Sequence, residues 1–159
     1  MSLDNHLPWQ QAAVILHTQR LCHSFEYWTG QPLLNLDELP EQKARSLFEA
    51  PFAVLSHGLE TDPILNYGNQ IALDLWQMNW HNFTQMPSRQ TAEPLDRQER
   101  DRLLAQATVQ GYLSNYRGIR ISSTGQRFLI EDAIIWDVLD QQNLKWGQAA
   151  MFNHWQWIA

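Results

Sequence analysis

The chain has 159 residues, a length that suits one domain of ordinary size with a real core. Apolar residues make up 44% of it, which argues against wholesale disorder, and a net charge of −6 repels phosphate backbones, so a general nucleic-acid binder is not expected. The single cysteine, Cys22, excludes an intramolecular disulfide and a cysteine-based metal cluster.

Residues 8–29, "PWQQAAVILHTQRLCHSFEYWT", carry a helical apolar period. Pro8 suits a first helical position and Gly30 followed by Pro32 ends the segment. Val14, Leu21, Phe25 and Trp28 fall on one face, with Cys22 on its flank as a packed small residue. A linker follows, then a short helix over 40–50 stopped by Pro51. "PFAVLSHG" (51–58) and residues 63–67 read as two short strands of a hairpin. Asn69 is placed to cap a helix over 70–76, because its side-chain oxygen can accept from free N–H groups of the first turn. The irregular stretch 77–96 contains a helical turn near 80–84, and a longer helix runs over about 96–110 to Gly111. Three strands, 112–122, 127–140 and 145–158, then form an antiparallel meander with short turns at Gly125 and Asn143.

In the middle strand the even positions Phe128, Ile130, Ile134, Trp136 and Val138 form one apolar face, interrupted only by Asp132. Odd positions such as Leu129, Ala133 and Ile135 are apolar as well, so both sheet faces are expected to be covered, one of them by the N-terminal helix. Arg117, Arg120 and Arg127 read as a solvated strand face, or otherwise as an anion or partner site.

The order of elements resembles the PAS fold, most sharply at "DPILNYGNQIALDLW" (62–76), where strand, Asn69 cap and the helix with Ala72, Leu73 and Leu75 sit at matching places. A closer resemblance covers nearly the whole chain. "LFEAPFAVLSHGLETDPILNYGNQIALDLW", "PSRQTAEP", "YRGIRISSTGQRFLIEDAIIWDVLD" and "GQAAMFNHW" are similar to the MEKHLA domain family, a PAS-like domain found as small stand-alone proteins in cyanobacteria and other bacteria and at the C-terminus of plant homeodomain leucine-zipper factors. The resemblance implies an α+β fold, a five-stranded antiparallel sheet with helices on one face and an N-terminal helical extension. The domain is expected over 40–159, with the helix and linker over 1–39 preceding it. It also implies a sensory or regulatory role and no catalytic residues.

Enzymatic motifs are missing. There is no GxSxG, P-loop, HExxH or GxGxxG, and the six histidines lack metal-ligand spacing. His57 reads as a polar strand terminus rather than a haem ligand, and "PSRQTAEP" lacks the cysteine that flavin photochemistry needs, so no cofactor is expected. Glu131 and Asp137 lie roughly 20 Å apart at about 3.3 Å per residue, too far for paired acid–base work.

The function expected is therefore a non-enzymatic module with a cavity for a small apolar ligand. Trp76, Met86, Leu104 and Trp136 would form its walls, with Tyr116 and Asp132 as polar anchors. The alternative is an NTF2-like cavity protein in which Asp132 acts as base and Tyr116 as donor on a small carbonyl compound. Trp9, Ala13 and Leu16 lie off the main stripe of the first helix, which points to a homodimer through that helix. No apolar run reaches a membrane span and "MSLDNHLPWQQ" lacks the marks of a signal peptide, so the chain reads as cytoplasmic.

Overall fold

Local signals set the order of elements in the computed structural model, which describes residues 7–35 and 37–159. A 3-10 turn, Pro8–Gln10, leads into helix α1 (Ala12–Thr29), which Gly30 ends in the left-handed conformation (φ 74°). Helix α2 (Pro40–Phe48) precedes the hairpin of β1 (Ala53–His57) and β2 (Leu65–Gly68). Three helices follow, α3 (Gln70–Trp76), α4 (Trp80–Phe83) and α5 (Pro94–Gln110), with a 3-10 turn at Ser88–Thr91 before the last. Strands β3 (Tyr112–Ile121), β4 (Arg127–Leu139), β5 (Lys145–Phe152) and β6 (His154–Ile158) complete the chain.

The strands form one antiparallel sheet of order β2-β1-β5-β4-β3, and β6 pairs with β4. The run 145–158 is thus two strands. It breaks at Asn153, so that β5 pairs with residues 134–139 of β4 while β6 pairs with 127–131. Placing three helices between the hairpin and the meander matches the PAS arrangement. No helix among the described residues is long and apolar enough to cross a membrane.

The alternating apolar face read from β4 does not persist along the strand. Asp132 adopts φ 53° and Asn115, on β3, φ 57°. Around each, the β3–β4 register shifts, as expected of bulges that insert one residue into one strand. Each bulge flips the side-chain alternation. Phe128 and Ile130 therefore share the inner face with Ala133 and Ile135, whereas Trp136 and Val138 point to the other side.

The two faces carry separate cores. On the outer face Val14, Leu21 and Phe25 of α1 pack with Val54, Tyr67, Trp136 and Val138. The Trp136 indole N–H donates to Ser24 Oγ at 3.0 Å, and its ring meets Phe25 edge-on at 5.0 Å, a geometry worth about 0.5–1.5 kcal/mol beyond burial. The Trp28 indole N–H donates to the Asp137 carbonyl at 2.9 Å and ties the far end of α1 to β4. On the inner face α3, α4 and α5 cover Leu65, Tyr116, Phe128, Ile130, Ile135 and Phe152.

Candidate functional site

A cavity of about 50 Å³ lies between the inner sheet face and the layer of α3, α5 and the Ser88–Thr91 turn. A single water needs about 10–15 Å³ by this measure, so there is room for several waters or for a ligand of a few heavy atoms. Trp76 forms one wall. It is buried, it meets Phe128 edge-on at 5.0 Å, and its indole N–H reaches the Thr91 carbonyl at 3.4 Å. Leu55, Leu104, Ile130, Ile135 and Phe152 supply further apolar surface.

A few polar side chains also line it. Arg100 of α5 and Arg120 of β3 both reach the cavity, each with only 7% of its surface exposed. Arg120 donates to Tyr116 Oη at 2.6 Å and to the Ile119 carbonyl at 2.9 Å, with its guanidinium carbon 5.4 Å from the centre of the Tyr116 ring. Gly118 makes this possible. Tyr116 and Arg120 flank it, and a Cβ there would lie 2.9 Å from Arg120 Nη1 and 3.1 Å from Tyr116 Oη. Arg100 donates to Ser88 Oγ and, at 2.9 Å, to Asp101 Oδ1. Burial lowers the Arg100 pKa, and the neighbouring Arg120 charge adds to the effect. Gln148 of β5 donates to the Leu104 carbonyl at 3.1 Å and to Thr108 Oγ1 at 3.2 Å, linking sheet to α5. His57 completes the lining, and burial lowers its pKa, which keeps the ring neutral.

Of the residues singled out in sequence, Trp76, Leu104 and Tyr116 line this cavity. Met86 packs against the same core, and its carbonyl accepts from Leu65 N–H at 3.0 Å, but it lies outside the cavity wall. Trp136 is on the opposite sheet face under α1, and Asp132 is exposed on its bulge. Both displacements follow from the register flip in β4. Asp132 and Tyr116 are therefore not brought together as a base and donor. Of the three arginines on the meander, Arg117 and Arg127 are exposed and lie 3.7 Å from Glu131 and Glu93, whereas Arg120 turns inward. Its signal was the spacing Tyr116, Gly118, Arg120, three same-face positions with a gap in the middle. Arg100 carried no such signal, because it sits among the charges of "DRQERDR".

Cys22 packs with the outer core on α1, across the sheet from the cavity, and burial raises its thiol pKa to about 11. It is remote from the cavity, and the raised pKa disfavours the thiolate form that would react.

Comparisons with known proteins agree with this architecture. A PAS domain from Colwellia psychrerythraea superposes with a TM-score of 0.64 at 14% identity, covering 76% of this chain and 98% of that one. An RNA-binding light-oxygen-voltage receptor superposes with a TM-score of 0.63 at 18% identity, covering 77% of this chain and 36% of that one. Among curated proteins, the homeobox-leucine zipper protein HOX9 of Oryza sativa, in both the indica and japonica subspecies, is 21% identical over 139 residues. That alignment takes in 87% of this chain but spans only 16% of HOX9. The sequence model of the MEKHLA domain matches residues 15–157, from the first helix to the last strand. The fold is that of PAS domains, and the chain belongs to the MEKHLA domain family.

Proposed function

We propose that this protein is a non-enzymatic sensory or regulatory module that takes a small, largely apolar ligand into the cavity beneath α5 and answers through protein contacts. One observation carries the reading: a PAS-like sheet and its helices enclose a cavity with apolar walls and a few convergent polar groups, the usual composition of a small-molecule site. The relatives point the same way, since HOX9 is by name a homeobox protein and one structural neighbour is by name a receptor. Helix α5, which covers the cavity, suits a responsive element. Among its described side chains only Arg100 and Ala107 are buried, with Leu103 and Leu104 partly buried against the core, so its apolar anchorage is modest.

The partner we propose is a second copy. The main stripe of α1 is used on its own sheet, and Trp9 packs under Arg45, whose guanidinium carbon lies 4.9 Å from the ring centre. Ala13 and Leu16 remain exposed on the flank, and a two-fold pairing would cover them.

Native mass spectrometry of the full chain, with an absorption spectrum, tests both parts. Incubation with a mixture of small apolar fragments should give adducts of one molecule per protomer, on a dimer, with no haem or flavin band. Ala150 lines the cavity, so Ala150→Leu should fill it and abolish the adducts. Adducts undiminished in that variant, or none in the parent, would overturn the ligand site. A monomer at tens of micromolar would overturn the pairing.

A further inference from the structure

Arg100 and Arg120 present an unsolved charge problem. Two arginine residues, each with only 7% of its surface exposed, line one cavity, and no carboxylate is among its lining residues. Arg120 has no ion-pair partner among the described residues and uses two of its five donors. Arg100 also uses two, and its acid partner Asp101 is a neighbour in sequence whose side chain is 65% exposed. The other lining groups, Ser88, Thr91, Tyr116 and Gln148, are uncharged types, and His57 is neutral. Glu99 and Asp96 lie in the groove outside, where Glu99 is held by Arg102 at 2.9 Å. Burying charge without a counter-charge costs several kcal/mol per ion even after relaxation. Two such groups converging on one space are an arrangement that an anion would complete.

We propose that the ligand is a small monocarboxylic acid, its carboxylate held between the guanidinium groups of Arg100 and Arg120 and its short apolar tail against Trp76, Ile130 and Ile135. The inference rests on the cavity being the ligand site. A planar guanidinium fork matches a carboxylate edge, and such charge-assisted bonds are roughly twice as strong as neutral ones. The volume favours a short acid over a bulky phosphate ester. Two surface grooves on either side of α5, of about 280 and 350 Å³, both include Arg100 in their walls, so the guanidinium stands where an acid arriving from outside would first meet the cavity.

The experiment is a titration of the full chain followed by NMR, with propanoate and propanamide as isosteric probes and inorganic phosphate as a control. Propanoate should shift the amides of Tyr116, Arg120 and Gln148 and bind at least tenfold more tightly than propanamide. Arg100→Met and Arg120→Met should each lose at least tenfold in propanoate affinity. Arg120→Met should keep or raise the melting temperature of the unliganded protein, because a buried charge is replaced by a packed apolar side chain. If a variant fails to fold, the Nε–Hε signals of Arg100 and Arg120 in the parent protein decide, since propanoate must move both. Equal binding of propanamide at the same residues would overturn the carboxylate and leave the ligand cavity standing. No shift at the cavity with either probe would overturn both. A response to phosphate alone would mean an adventitious ion only, and would also overturn the proposal.

Discussion

Asn69→Ala is expected to lower the unfolding free energy by about 4 kcal/mol or more, the largest loss anticipated from any single polar truncation in this fold. The side chain is fully buried and satisfies four backbone groups. Its Oδ1 accepts from Val54 N–H at 3.0 Å and from Ala72 N–H at 3.2 Å, and its Nδ2 donates to the carbonyls of Phe52 at 2.7 Å and Leu47 at 3.1 Å. The end of α2, the start of β1 and the first turn of α3 are thus joined through one amide. Truncation takes the side-chain partner from the Val54 and Ala72 N–H groups and the Phe52 carbonyl, each at about 1–3 kcal/mol before relaxation, while the Leu47 carbonyl keeps the Ala50 N–H at 3.3 Å. Typical domains hold only about 5–15 kcal/mol, so the variant should be barely folded. Asn69→Asp should fare little better, because it keeps the acceptor but turns an oxygen toward two carbonyls. Urea unfolding at pH 7 followed by circular dichroism gives the number, and a loss below about 1 kcal/mol would contradict this description of the joint.

Acid should loosen α1 from the sheet through His17. This ring is buried between α1 and the outer sheet face, with Nε2 at 2.9 Å from Ser56 Oγ and its centre 6.1 Å from that of Tyr67. Ser56 Oγ donates onward to Asn66 Oδ1, so the neutral ring must supply the proton on Nε2. Burial, and secondarily the Arg20 charge, lower the His17 pKa from 6.5 to about 4. The unfolded chain therefore binds a proton that the folded chain refuses between those two values, and stability falls as the pH drops through that window. The full drop is about 3 kcal/mol at 1.36 kcal/mol per pH unit, complete near pH 4. His57, also held below its usual value by burial, acts in the same direction. Unfolding free energies measured between pH 7 and pH 4 should show this slope, and His17→Gln should remove most of it while keeping a donor for Ser56. An unchanged slope in the variant, or a His17 ring that titrates near 6.5 by NMR, would contradict the assignment.

Much of the frame was legible in the sequence because its signals are local. The apolar period of α1 and the strand, Asn69, helix unit each depend on residues close together, and the turns at Gly125 and Asn143 mark the meander. The candidate site was only half legible. Trp76, Leu104 and Tyr116 follow from simple alternation and helical period. Trp136 and Asp132 were misplaced because a left-handed residue inside a strand shifts every later side chain by one face, and an aspartate in an apolar run does not announce that conformation. Asn153 divides the final strand with a similarly weak mark. Arg100 gave no sign in the sequence, and Arg120 could not be told from Arg117 and Arg127, because arginine is a surface residue by default and only three-dimensional packing turns these two inward while leaving the others in solvent.

The most direct measurement is a crystal structure of the full chain grown with saturating propanoate. The expected result is density for one bound molecule beneath α5, in contact with Trp76, Leu104 and Tyr116 and with its carboxylate between Arg100 and Arg120. A cavity that holds only water, with propanoate absent or confined to the outer surface, would contradict the assignment of this cavity to a carboxylate ligand.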